Sequence, residues 1–223
     1  NAESLLKAAN LAMSQAKTER GCSYCFYNRE LSVKASNQLA MEAEFRRALR
    51  RNEFRLLFQP RVDITNGEIV GMEGLIRWQH PIKGLLSPYA FISVIENNGQ
   101  IIEISRLMFA KICRQIKSWK KAGFLVDSIS FNLSISSLRI KDEASKFIKQ
   151  MEKYAIKPSQ IIIEITESLF FENNIELFEN LKIFREYGIK VAIDDFGMEY
   201  STLSVLESVA YDIIKIDRHF TKN

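Results

Sequence analysis

From Ser128 onward the chain repeats one pattern: a short run of β-branched and other apolar residues, then a longer amphipathic stretch, then another short run. Strands are expected at Ser128–Leu133, Ile161–Ile165, Lys190–Asp194 and Ile213–Ile216. The segments Ile104–Ala122, Asp142–Tyr154, Ile175–Tyr187 and Ser201–Ser208 read as the helices around them. Strands alternating with helices of this length run parallel, because each helix carries the chain back to the starting end of the sheet. Ahead of them, Phe54–Pro60 and Ile69–Trp78 flank a turn at Asn66-Gly67, which predicts a hairpin. Six strand candidates therefore predict an α/β domain of the β/α barrel kind.

The residues before Phe54 have a different texture. Leu5, Leu6, Ala9, Ala12, Met13 and Ala16 recur at helical spacing over Ser4–Lys17, ending near Gly21. Cys22–Tyr27 reads as strand-like and Gln38–Arg51 as a second helix. Together they have the character of the end of one domain and a connector.

Composition narrows the function classes. A chain of 223 residues with 47% hydrophobic content can bury a real core, so disorder is not expected. No run approaches the roughly 20 apolar residues that span a bilayer, and no signal-peptide order opens the chain. The formal charge of +4 is mild and its lysines and arginines are scattered, so a nucleic-acid polymer is not the expected partner, whereas a small anion fits. Cys22 and Cys25 form a C-x-x-C, but no second one follows, and His80 and His219 lie far off. The cysteines are read as reduced thiols of a cytosolic protein.

The chemistry lies where polar residues interrupt the apolar runs. Glu73, Asn132, Glu164, the pair Asp194-Asp195, and Lys215 all sit in or at the ends of predicted strands. An isolated buried carboxylate costs several kcal/mol unless it is paired or bound to a metal, on the order of what a small domain has to spare. In a β/α barrel the strand C-termini converge on one face, which gives these residues a common destination. Carboxylate and amide oxygens are hard ligands that suit Mg²⁺ or Mn²⁺ better than zinc. Paired ions of this kind generate a hydroxide and clamp a phosphate. Arg77, four residues after Glu73 on the same strand face, can take a phosphate or a guanine edge. Taken singly, each has a plain reading: Asp194-Asp195 as an acidic turn, Lys215 paired with Asp217, Arg77-Trp78 as a cation–π pair.

Taken in order, these stretches resemble a known family. Phe58-Gln-Pro, Glu73-Gly-Leu-Ile-Arg-Trp, His80-Pro, Ser87-Pro, Phe91-Ile, Phe131-Asn-Leu-Ser, Ile163-Glu-Ile-Thr-Glu-Ser, Asp194-Asp-Phe-Gly and Ile214-Lys-Ile-Asp are similar to the motifs of EAL domains. Those are phosphodiesterases that open cyclic di-GMP to pGpG on a TIM-like barrel with an antiparallel first strand. The resemblance implies Glu73, Asn132, Glu164 and Asp194 as ligands of a first metal, with Asp194 bridging to a second held by Asp195. It implies Lys215 as the lysine acting on the attacking water, and Gln59 and Arg77 as substrate contacts. It divides the chain into an incomplete EAL domain, 37–223, and residues 1–36, which resemble the last helix of a GGDEF (diguanylate cyclase) domain and a connector. A homodimer is implied, with sensor or GGDEF domains upstream and a cytoplasmic location; the parent protein can be membrane-tethered through such a sensor.

This sequence departs from the family pattern at three points. Gly74 replaces the usual alanine, and Met198-Glu199 stand where the family favours Thr-Gly. The chain also stops soon after Lys215, where the family continues through two further strands, so an unclosed barrel is expected. The Met198-Glu199 change makes a cyclic di-GMP receptor without turnover the alternative to an enzyme.

Overall fold

The structure, a computed structural model, describes residues 1–18, 24–97, 99–198 and 211–220. Helix α1 (Ala2–Thr18) and helix α2 (Arg29–Arg50) come first. Strands β1 (Phe54–Val62), β2 (Ile69–His80) and β3 (Gly84–Leu86) follow, then helices α3 (Ile92–Asn97) and α4 (Gln100–Lys121). The remainder alternates: β4 (Ile129–Asn132), α5 (Ile135–Leu138), α6 (Glu143–Tyr154), β5 (Ile161–Thr166), α7 (Ile175–Glu186), β6 (Lys190–Phe196) and β7 (Ile213–Ile216).

The strands form one sheet in the order β1-β2-β4-β5-β6-β7, with β3 paired to β2. β1 runs antiparallel to β2, placing Gln59 opposite Glu73, while β2, β4, β5, β6 and β7 are successively parallel. This is the expected barrel order with an antiparallel first strand. Among the described residues the sheet does not close, since β1 and β7 are its two edges.

The hydrophobic core lies between the sheet and its helices. Phe45 of α2 packs on Phe54 with ring centroids 4.9 Å apart, and Phe54 on Trp78 at 5.4 Å, fixing the connector helix to the hairpin. Farther along, Phe109 of α4 meets Phe147 of α6 at 4.6 Å, and Phe147 stacks edge-on to Phe184 of α7. Gly74 lies on this helix side of β2. A methyl group there would come within 3.3 Å of Ile112 Cδ1 and 3.4 Å of the Ser130 carbonyl oxygen. The missing methyl lets α4 settle close against β2, and an alanine would have to push Ile112 aside.

Asn180 of α7 holds the helical layer together. Its amide donates to the Leu138 and Ile140 carbonyls and its oxygen accepts from Ala144 N, each at 2.8 Å. Asn180→Ala leaves three backbone groups without that partner in a buried setting, so a loss of about 3 kcal/mol is expected by urea denaturation. A change under about 0.5 kcal/mol would show that water replaces the amide.

Several sequence expectations need correction. Residues 24–28 form no strand; Tyr24 and Phe26 are exposed, and no strand pairs with them. Helix α2 begins at Arg29 instead of Gln38, because the Asn28 side chain accepts from Leu31 N and caps it. Helix α4 likewise starts at Gln100, just after left-handed Gly99. Strand β3 was not anticipated; its three residues are too few for a periodicity to register. The helix expected at Ser201–Ser208 lies outside the described residues, as does Cys22. Cys25 and Cys113 are free thiols, and burial pushes that of Cys113 up to about 12. No described helix is long and apolar enough to cross a membrane.

Candidate metal centre

The parallel register decides which side chains meet. Asn132 is the register partner of Glu164, and Thr166 that of Asp194, so the ends of β4, β5 and β6 stand side by side. Glu73 pairs with Ser130 one strand over, on the inner face of β2 that alternation also assigns to Leu75 and Arg77. Lys215 rises from β7 on the other side.

The result is a compact polar knot in an apolar wall. Lys215 Nζ lies 2.9 Å from Glu164 Oε2, 2.9 Å from Asp194 Oδ1 and 3.2 Å from Glu73 Oε2. The Asn132 amide donates to Glu73 Oε1 at 3.0 Å and to Glu164 Oε2 at 3.2 Å. Glu73, Glu164 and Asp194 each bring one carboxylate oxygen to within 4.8 Å of the others. Lys215 is therefore not reserved for Asp217, the simpler pairing that its sequence neighbourhood allowed.

Electrostatics in this knot are lopsided. Burial raises the Glu164 carboxyl above its ordinary value and Glu73 adds to the rise, against the pull of Lys215. Burial works to lower Lys215, but Glu164 and Asp194 outweigh it and hold the ammonium above its usual range. Three carboxylates share one cation. Glu164 Oε1 is buried and has no hydrogen-bond partner, leaving an acceptor without its due charge. A hard divalent cation fits both the donor set and this uncompensated negative charge.

Asp195 stands apart from that knot. It is a non-glycine residue at φ +52, a left-handed conformation that costs of order 1 kcal/mol. Partial burial, then the charges of Asp194 and Asp217, push its carboxyl upward. Gln59 is exposed at the β1 position facing Glu73, and Arg77 donates to the Ile76 carbonyl at 2.7 Å instead of reaching the knot.

Two further residues were not singled out by sequence. Buried Glu167, just past β5, accepts from Gly197 N at 3.1 Å and so tethers the turn after Asp195. Gly197 adopts φ +99, and a methyl group on it would sit 2.6 Å from the Phe220 ring. The signal for Glu167 was an acid inside Ile-Thr-Glu-Ser-Leu-Phe; nothing local said it would turn inward. A cavity of about 390 Å³ opens beside the knot, lined by Asn132, Glu164 and Asp195 on one side and by Pro88, Ile92 and Ile101 on another.

The EAL domain sequence profile matches residues 42–223. This chain belongs to the EAL domain family. Among similar proteins, the cyclic di-GMP phosphodiesterase NbdA of Pseudomonas aeruginosa is 34% identical over 218 residues, 98% of this chain and 28% of NbdA. The bifunctional diguanylate cyclase/cyclic di-GMP phosphodiesterase MucR of the same organism is 32% identical over 216 residues, 97% of this chain and 32% of MucR. The solved structure of the MucR phosphodiesterase in its cyclic di-GMP complex superposes with a TM-score of 0.75 at 31% identity, covering 81% of this chain and 73% of that one. The chain spans about a third or less of the length of the curated relatives it matches.

Proposed function

We propose that this EAL domain is a divalent-metal-dependent phosphodiesterase that opens cyclic di-GMP to linear pGpG. The observation that carries the reading is the gathering of Glu73, Asn132, Glu164, Asp194 and Lys215 from five strands into one bonded cluster. Its likeness to named cyclic di-GMP phosphodiesterases supports the substrate.

Glu73, Asn132, Glu164 and Asp194 would hold a first Mg²⁺ or Mn²⁺, and Asp194 with Asp195 a second. Such ions, when bound, would supply an acidified water and electrostatic relief for the phosphate. Lys215 offers hydrogen-bond donors only, so it orients the attacking water or offsets phosphate charge. Arg77 and Gln59, on the same inner face as Glu73, hold the phosphate or a guanine edge. Glu167 acts through Gly197 as a positioning residue. Glu167→Ala is expected to raise the Mn²⁺ concentration for half-saturation roughly tenfold or more, measured by calorimetric titration. An unchanged value would show that the turn holds itself.

Residues 1–36 are read as the tail of a GGDEF-like domain and its connector, since the similarity to MucR reaches well ahead of residue 42. The domain is read as a cytoplasmic homodimer working beneath sensor or cyclase domains. The decisive assay is incubation with cyclic di-GMP and Mg²⁺ or Mn²⁺, following pGpG by chromatography, with Ca²⁺ as a parallel binding condition. Binding without product makes the domain a receptor, the reading favoured by Met198-Glu199 in place of the Thr-Gly that EAL domains favour.

A further inference from the structure

The end of the barrel opposite the metal centre carries a feature that the proposed hydrolysis does not use. Helix α4 terminates there in a Schellman turn: Gly123 is left-handed at φ +85, Gly123 N bonds to the Lys120 carbonyl at 3.2 Å and Phe124 N to the Trp119 carbonyl at 2.9 Å. In such a turn the residue after the glycine commonly packs back on the helix. Here it does not. Phe124 is 66% exposed and Leu125 86% exposed, two large apolar side chains adjacent at one loop tip.

The tip is held rigidly. Trp119 packs edge-on against Phe58 of β1 at 4.8 Å, and Gln160 donates to the Val126 carbonyl at 3.3 Å. Behind it, Lys117, Lys120 and Lys121 share one face of α4 at helical spacing, all exposed. Lys153 comes from the neighbouring end of α6 and Lys157 from just beyond it, and Lys117 and Lys153 both approach the Tyr154 ring, at 5.9 and 5.8 Å. One shallow depression joins the α4 lysines to Tyr154 and Gln160. Against these five lysines the sequence neighbours bring two acids, Glu152 and Asp127, both exposed, so this patch carries a net positive charge.

We propose that this end of the domain docks on an anionic membrane surface, with Phe124 and Leu125 entering the headgroup boundary and the lysines facing the lipid phosphates. Charge complementarity selects the bilayer. Lysines are diffuse point-charge partners for a charged surface, each strengthening attachment, and apolar tips add buried area. A nucleic acid would leave Leu125 without a role and would favour arginine forks. Because the site lies at the N-terminal ends of the strands, docking leaves the metal centre facing solution.

The test is co-sedimentation with vesicles of phosphatidylcholine, alone or containing about 30% phosphatidylglycerol, at moderate salt. The unaltered protein should partition at least about tenfold more strongly to the anionic vesicles. Lys120→Glu with Lys121→Glu should abolish that preference, and Phe124→Ser with Leu125→Ser should weaken binding at least about fivefold. All four side chains are exposed, so unchanged circular dichroism and melting are expected of both variants. No anionic preference in the unaltered protein overturns the proposal. So does binding that ignores the apolar pair, or displacement by single-stranded DNA with no vesicle binding at all.

Discussion

Glu73→Ala is expected to lower cyclic di-GMP cleavage at least about a thousandfold, the rate equivalent of the several kcal/mol that a metal supplies to a phosphoryl transition state. It should do so without unfolding the domain. Glu73 is half-buried on the inner face of β2, and its charge raises the Glu164 carboxyl, so removing it relieves a like-charge contact. Lys215 keeps Glu164 and Asp194, each at 2.9 Å. Melting within a few degrees of the unaltered protein, together with lost pGpG formation, is the expected pair of results. Full turnover by this variant would remove Glu73 from the machinery and sink the proposed reaction.

Lys215→Met should have the opposite profile in the absence of metal. The methionine keeps most of the volume but leaves Glu73, Glu164 and Asp194 facing one another without a cation. Breaking a buried charge cluster in this way costs about 3 kcal/mol. For a chain of this size that corresponds to a fall in melting temperature of roughly 6–12 °C in chelator. Mn²⁺ should restore much of that loss, because the ion replaces the missing positive charge. The stabilisation by Mn²⁺ is thus expected to be larger in the variant than in the unaltered protein, as read by paired thermal melts. Equal metal shifts in both would mean that lysine and ion do not compete for the same carboxylates.

Much of this was legible in the order of residues, for reasons specific to each element. The alternation after Ser128 leaves a parallel sheet as the workable solution, because each strand needs a helix to return the chain. The hairpin was marked by Asn66-Gly67, although β1 and β2 extend farther than their apolar cores indicated. The acids at strand ends stood out because an apolar run tolerates a charge only with a partner. Short or irregular pieces were not legible. β3 has three residues, and the strand-like composition around Tyr24 and Phe26 finds no neighbour to pair with.

What the sequence determined by itself was the repertoire: a β/α domain, hard oxygen donors and a lysine at strand ends, and an ordered set of motifs similar to EAL domains. Tertiary structure alone decided the pairings. Lys215 and Glu73 are separated by 142 positions, and only the parallel register across five strands brings them to 3.2 Å. Glu167 reads as one more acid until the turn folds Gly197 over it, and the exposure of Phe124 and Leu125 follows from the Schellman turn before them. Residue type and spacing encode the chemistry a side chain can offer. Which partner receives it depends on distances that only the folded arrangement of strands and helices imposes.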